Sequence, residues 1–352
     1  MIMSRRSARK TLVIIALLLG MFTFFVAGGA VVRYGIASKL LGNMKILQSI
    51  NNPSQFVDVE YEKGCALNFL ENLGLEPYSK SLVYRGLSLP PDFNNLRIIT
   101  KKVEKRGELY GDVEYAKYRA MLNNDLRFSY IEVKSSNVKS DRTLIFLHGN
   151  GCIPDDLLGL ESPQNADAVA LDMARAGIRV LIPIKYDMTK NNHSGVIVAK
   201  AAVYGTTFEA LEQMKIKGLV DLYHTEGESL AVYGFSHGAW QSLMAAQLNQ
   251  FDILFFHEYL TDPKRFKTLS YFYTDYDAGI ASLYNYPEAF RMANVSKVLV
   301  LLGNDSPYSS NRKFVASVVE NTDADKVEFI FYDGGHYISK GLIKKFIINR
   351  RW

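Results

Sequence analysis

Six short runs in the chain are almost continuously apolar: Thr143–Leu147, Ile178–Ile184, Ser229–Tyr233, Ile253–Phe256, Lys297–Leu302 and Val327–Tyr332. A strand wetted on one face alternates apolar with polar residues, whereas an uninterrupted run needs cover on both faces. The stretches between the runs supply that cover, since Ala166–Ala176, Val196–Lys217, His237–Leu248, Asn311–Asn321 and Ile338–Asn349 read as helices. Strand and helix alternating in this way specify an α/β fold, with a mostly parallel central sheet flanked by helices. Two earlier segments, Leu96–Val103 and Leu126–Lys134, read as further strands. The second alternates, with Leu126, Phe128 and Tyr130 on one face and Ile131 and Val133 on the other.

A chain of 352 residues that is 48% hydrophobic and 22% charged has ample material for a core, which excludes a disordered protein. Two cysteines, Cys65 and Cys152, are too few for a disulfide scaffold, although they can pair with each other in an oxidising compartment. The formal charge of +5 points toward an anionic partner until it is located. Residues 1–50 hold Arg5, Arg6, Arg9, Lys10, Arg33, Lys39 and Lys45 and no acid. Those seven, taken from the 41 basic residues, leave 34 against 36 acidic ones in 51–352. The body of the chain is slightly acidic, which argues against a nucleic-acid partner.

The basic residues flank Thr11–Val32, 22 residues without a charge and rich in Leu, Val, Ile, Phe and Ala. As a helix this run rises roughly 33 Å, enough to cross a bilayer. It exceeds the roughly 7–15 apolar residues of a typical signal core, which favours a retained single-pass anchor. The alternative is a cleaved signal peptide ending at Ala27-Gly28-Gly29-Ala30, with a secreted body. Four basic residues before the run and three after it bias the body weakly toward the extracytoplasmic or luminal side.

These segments divide the chain into an anchor region over 1–45, a connector over 46–95 that packs on the body, and an α/β domain over 96–352. Within the domain, 258–294 is long for a connection between two strands and carries nine aromatics, among them Tyr259, Phe266, Tyr286 and Phe290. A connection of this length suggests an inserted lid or cap.

The chemistry-bearing residues cluster where strands end. Ser229–Tyr233 runs into Gly234-Phe235-Ser236-His237-Gly238 and then a helix. This is a G-x-S-x-G turn in the strand–turn–helix context that exposes a serine hydroxyl. The helix behind Ser236 offers the backbone N–H of His237 and the positive end of its dipole to a developing oxyanion. Thr143–Leu147 ends in His148-Gly149-Asn150-Gly151, a glycine-rich loop able to supply a second N–H, from Asn150 or Gly151. A serine needs a base, and the base needs an acid to hold it. His336, in Asp333-Gly334-Gly335-His336, follows the last strand, and Asp305, in Gly303-Asn304-Asp305, follows the one before.

The order Ser236, Asp305, His336, together with H-G-N-G, G-F-S-H-G, G-N-D and G-G-H, resembles the α/β-hydrolase superfamily over roughly residues 95–350. The amino-terminal apolar run and the H-G-N loop are also loosely similar to membrane-anchored hydrolases of the ABHD type. Only Asn304 separates Gly303 from Asp305, one residue fewer than many relatives have, so Glu258, after the preceding strand, is the alternative acid.

The resemblance implies acyl transfer. Ser236 attacks a carbonyl, His336 moves the proton, backbone N–H groups hold the oxyanion, and water releases the acid. No cofactor or metal is implied; the chain has no H-E-x-x-H and no phosphate-binding glycine loop. The expected protein is a membrane-anchored serine esterase or lipase acting on an acyl lipid or another hydrophobic ester. The same catalytic triad serves peptidases, thioesterases and acyltransferases, and a hydrolase-like binding protein without catalysis is the reading from another class.

Overall fold

The computed structural model describes residues 61, 65, 66, 89–149, 154–160, 167–186, 197, 201, 206–224, 229–261, 285–308, 311–350 and 352. The chain divides into two compact units, Met1–Pro53 and Ser54–Trp352. The first, including the apolar run Thr11–Val32, lies outside the described residues. Among the described residues no helix is long and apolar enough to cross a membrane.

The second unit is built on nine strands: β1 (Ile98–Leu109), β2 (Val113–Leu122), β3 (Arg127–Ser135), β4 (Arg142–Leu147), β5 (Ile178–Pro183), β6 (Ser229–Phe235), β7 (Phe251–His257), β8 (Val295–Gly303) and β9 (Val327–Tyr332). They form one sheet in the order β1-β2-β3-β5-β4-β6-β7-β8-β9. From β5 to β9 every pairing is parallel, while β1, β2 and β3 join antiparallel. The longer helices are α1 (Val169–Arg175), α2 (Phe208–His224), α3 (His237–Leu248), α4 (Tyr286–Met292) and α5 (Arg312–Glu320). A final turn, Lys340–Ile343, continues as a π-helix through Lys344–Ile348.

The uninterrupted apolar runs are explained by two cores, one on each face of the sheet. Ile145 and Leu147 of β4, Leu230 and Val232 of β6, and Val298, Val300 and Leu302 of β8 pack into one core with α2 and α3. The residues between them, Leu144 and Phe146, Ala231 and Tyr233, and Leu299 and Leu301, pack into the other with α1 and the final turn. Alternation along a strand sends neighbouring side chains to opposite faces, so burial on both faces requires apolar residues throughout.

Strand β2 is absent from the sequence-based expectation. It pairs with β1 at the sheet edge, where charged residues crowd both strands and Lys117 reaches Glu104 at 2.8 Å. With Glu114, Lys117 and Arg119 among its apolar residues, β2 carries no continuous apolar run to announce it. Helix α2 also starts later than the expected Val196–Lys217. Thr207 Oγ1 accepts a hydrogen bond from the Ala210 N–H at 3.0 Å, capping a helix that begins at Phe208 and runs on to His224.

The inserted segment 258–294 is described only at its ends. There Tyr259, Tyr286 and Phe290 are buried in the first core, beside α3 and β7. The other six aromatics of the segment lie outside the described residues, as does Cys152; Cys65 is buried.

Candidate active site

The sheet changes direction of growth at β4, which has β5 on one side and β6 on the other. At such a switch point the loops leaving the strand ends diverge and open a crevice. Leu147, the last residue of β4, is level with Gly234 of β6, so the His148-Gly149 loop and the serine turn emerge side by side.

Ser236 joins β6 to α3 at φ 55° and ψ −128°. A non-glycine residue in this region costs on the order of 1–3 kcal/mol and persists only where its surroundings impose it. Its N–H donates to the His257 carbonyl at 2.9 Å, and its carbonyl accepts from the Ala239 N–H at 2.8 Å. Glycine is required beside it. A Cβ on Gly238 would collide with the Leu147 carbonyl, and one on Gly149 would come within 2.7 Å of Ser236 Cβ. The serine is therefore clamped between two loops, and it is buried but for a small opening.

His336 follows β9, and its ring stacks on Phe235 at 4.6 Å between centroids, 27° from parallel. Phe235 immediately precedes Ser236, so the stack holds the imidazole beside the serine turn. Tyr308 lies 5.0 Å away from the same ring. His336 Nδ1 is 3.5 Å from Glu258 Oε2; the imidazole side chain is 28% exposed, and the carboxylate is fully buried.

Glu258 follows β7 at φ 62° and is anchored through its other oxygen. Oε1 accepts the Gly303 N–H and, at 2.8 Å, the Tyr332 hydroxyl. Asp305, the first candidate acid, is exposed, with no side-chain hydrogen bond or ion pair among the described residues; its backbone N–H donates to Gly334. The physical reason is the short β8 loop. With only Asn304 after Gly303, the chain turns back onto the β9 loop and leaves the Asp305 side chain in solvent, whereas Glu258 lies beneath the histidine.

His237, the first residue of α3, turns its side chain away from this group. Its Nε2 lies 3.0 Å from Glu209 Oε1 of α2, and both side chains are sealed from solvent. Gln241 donates to the second Glu209 oxygen at 2.9 Å. Burial alone would raise the Glu209 carboxyl, but the His237 imidazole and the Gln241 amide hold it below the ordinary glutamate value. His148 is buried too, and desolvation, with Lys185 nearby, pushes it down to about 3. It is a neutral structural residue of the loop. Asn150 and Gly151, the second oxyanion candidates, lie outside the described residues.

Among the described residues, no three His, Cys, Asp or Glu side chains converge in a metal-binding arrangement. A cavity of about 380 Å³ lined by Arg312, Val315, Val319 and Phe331 includes none of Ser236, Glu258 or His336, and so is separate from this site.

No protein-family model and no curated protein matches the chain. Solved structures do. A glucuronoyl esterase from Solibacter usitatus superposes with a TM-score of 0.51 at 11% identity, covering 80% of this chain and 90% of that one. The likeness is one of fold. An acetyl xylan esterase from Paenibacillus sp. R4 has a TM-score of 0.49 at 16% identity, over 77% of this chain and 98% of its own. The S-formylglutathione hydrolase FrmB of Staphylococcus aureus has 0.46 at 14%, over 70% and 96%. The mostly parallel sheet with flanking helices is the architecture shared with the glucuronoyl esterase.

The sequence reading named Ser236, His336 and Asp305, with Glu258 as the alternative acid; the structure brings His336 to Glu258 and to the residue before Ser236, and not to Asp305. The sequence reading missed the buried partners, namely Glu209 behind His237 and Tyr332 and His257 behind Glu258. Glu209 and Tyr332 are distant in sequence from the residues they touch. Only the adjacency of His257 to Glu258 carried any sign of the arrangement.

Proposed function

We propose that the protein is a serine hydrolase of carboxylic esters, with Ser236 as nucleophile, His336 as base and Glu258 as the acid that orients it. The observation that carries this reading is the convergence of a strained serine turn, a histidine stacked on the residue before that serine, and a buried carboxylate facing the histidine. His336 Nε2 takes the Ser236 proton as Oγ attacks the ester carbonyl, and Nδ1–H is turned to Glu258, which favours the imidazolium that forms. The N–H of His237, in the first turn of α3 where no intrahelical acceptor exists, stabilises the oxyanion with a second N–H from Asn150 or Gly151. His336 returns the proton to the leaving alcohol. Water, activated by the same imidazole, then releases the acid from Ser236.

The glucuronoyl and acetyl xylan esterase neighbours support an ester over an amide. The apolar run Thr11–Val32, similar to the anchors of ABHD-type hydrolases, supports action at a membrane on a lipid or another hydrophobic ester, with 258–294 as its lid. A fluorophosphonate probe tests the chemistry. It should label the intact chain, and Ser236→Ala should abolish labelling while leaving the thermal midpoint in place; labelling that persists in this variant places the nucleophile elsewhere. Release of active protein from membranes on deleting residues 1–35 tests the anchor.

A further inference from the structure

Behind Glu258 lies a row of buried polar side chains that the acyl-transfer reading does not use. The Tyr233 hydroxyl meets His257 Nδ1 at 2.5 Å, His257 Nε2 meets the Tyr332 hydroxyl at 2.8 Å, and that hydroxyl meets Glu258 Oε1 at 2.8 Å. Tyr233 and His257 are completely buried, and Tyr332 is half-buried. Each member lies on the strand that leads into a residue of the reacting set. Tyr233, in β6, stands three residues before Ser236; His257 ends β7 immediately before Glu258; and Tyr332 ends β9 four residues before His336.

The direction of the hydrogen bonds follows from what each group can do. A carboxylate only accepts, so Tyr332 donates its single hydroxyl proton to Glu258. Its oxygen is then the acceptor for His257, which must carry its proton on Nε2. Nδ1 of His257 is left as an acceptor, and Tyr233 donates to it. Every proton in the row points toward Glu258. The electrostatics agree: burial first, and the charge of His336 second, hold His257 well below the ordinary histidine value, so it is neutral and has one donor and one acceptor. Burial and the Glu258 carboxylate push the Tyr332 phenol up, keeping the donating proton in place.

We infer that Tyr233, His257 and Tyr332 form a one-directional hydrogen-bond relay that fixes Glu258 Oε1 and leaves Oε2 as the oxygen presented to His336. The three are positioning residues, and the inference rests on the proposed roles of Ser236, His336 and Glu258. Without the relay, Oε1 keeps only the Gly303 N–H, and the carboxylate is free to turn about its last bond. A relay has a property that independent packing contacts lack. Once the link next to the carboxylate is cut, cutting a farther one has no additional effect on catalysis.

The experiment measures inactivation by a fluorophosphonate, separating the maximal rate kinact from the affinity KI. Tyr332→Phe should lower kinact about tenfold, the value of one hydrogen bond to a charged group, with KI unchanged. Tyr233→Phe should cost less, and Tyr233→Phe/Tyr332→Phe should be no slower than Tyr332→Phe alone. Additive losses, an unchanged kinact in Tyr332→Phe, or a loss confined to KI would overturn the relay. The imidazole ¹⁵N resonances of His257 in the unsubstituted protein test it without any variant: Nε2 should be protonated and Nδ1 bare at neutral pH, and the opposite tautomer or an imidazolium refutes the arrangement. If the unsubstituted protein is not labelled at Ser236, the hydrolase reading fails, while the tautomer still reports on the relay.

Discussion

Two histidine–glutamate pairs stand on either side of Ser236, and they are built to opposite ends. His336 and Glu258 are 3.5 Å apart, with the imidazole partly in solvent. His237 and Glu209 are 3.0 Å apart, and both are shut away. The open pair joins two loops at the carboxyl ends of β7 and β9, where the imidazole is reached by water and stacks on Phe235, next to Ser236. The closed pair joins α3 to α2 under the sheet, and Gln241 takes the remaining carboxylate oxygen. The same two residue types therefore form a solvent-reached pair between two loops in one place and a sealed helix-docking pair in the other. What separates them is access to solvent and the partner on the second oxygen of each carboxylate.

The largest expected effect that sharpens this contrast comes from Glu258→Gln. The amide oxygen can still accept from the Gly303 N–H and Tyr332, but this turns the NH₂, a donor, toward His336 Nδ1, and the tautomer of His336 is no longer fixed. We expect kcat/KM on p-nitrophenyl acetate to fall on the order of 10⁴-fold with little change in thermal midpoint. If Glu209→Gln produced the same loss at unchanged stability, the division of roles would be wrong. Glu209→Ala should do the reverse. It removes the acceptor facing both His237 and Gln241 inside a sealed site, and urea titration should show a loss of about 3–5 kcal/mol, with the activity per folded molecule changed far less.

Acid distinguishes buried from accessible histidines in another way. His148 and His257 are both fully buried and held below the ordinary histidine value, His148 at about 3. In the unfolded chain each takes up a proton as pH falls through about 6.5, and in the folded chain neither does until the pH is much lower. Stability should be complete above that point and decline below it, by about 1.4 kcal/mol per pH unit for each histidine. Denaturation midpoints measured from pH 7.5 to 5 check this; half the combined slope means that one of the two is charged in the fold, and a flat profile that both are. The smallest effect belongs to Asp305→Asn. An exposed side chain without a partner among the described residues should change stability by no more than about 0.5 kcal/mol. Activity should stay within about threefold, and a loss comparable to Glu258→Gln would restore Asp305 as the acid.

The positions of strands β4 to β8 along the chain were largely legible because burial on both faces leaves uninterrupted apolar runs, and helix α3 appeared at its true bounds, His237–Leu248. Strand β2 was not legible, since Glu114, Lys117 and Arg119 interrupt its apolar residues and leave no continuous run. At the site, Ser236 was legible because its glycine neighbours are local requirements of the turn. The acid was not. Asp305 and Glu258 both follow strands that end at the same edge, and nothing in either local sequence says which side chain the fold turns beneath His336.

The amino-acid sequence by itself determined the α/β architecture, the serine turn and the histidine after the last strand, because each depends on residues close together along the chain: period, glycine clearance, strand ends. Only the tertiary structure decided which carboxylate meets His336, that His237 faces Glu209, and that Tyr233, His257 and Tyr332 line up behind Glu258. Those choices depend on the spacing of strands β6, β7 and β9 across the sheet and on which oxygen is buried. Such distances arise when distant segments pack together, and no local pattern encodes them.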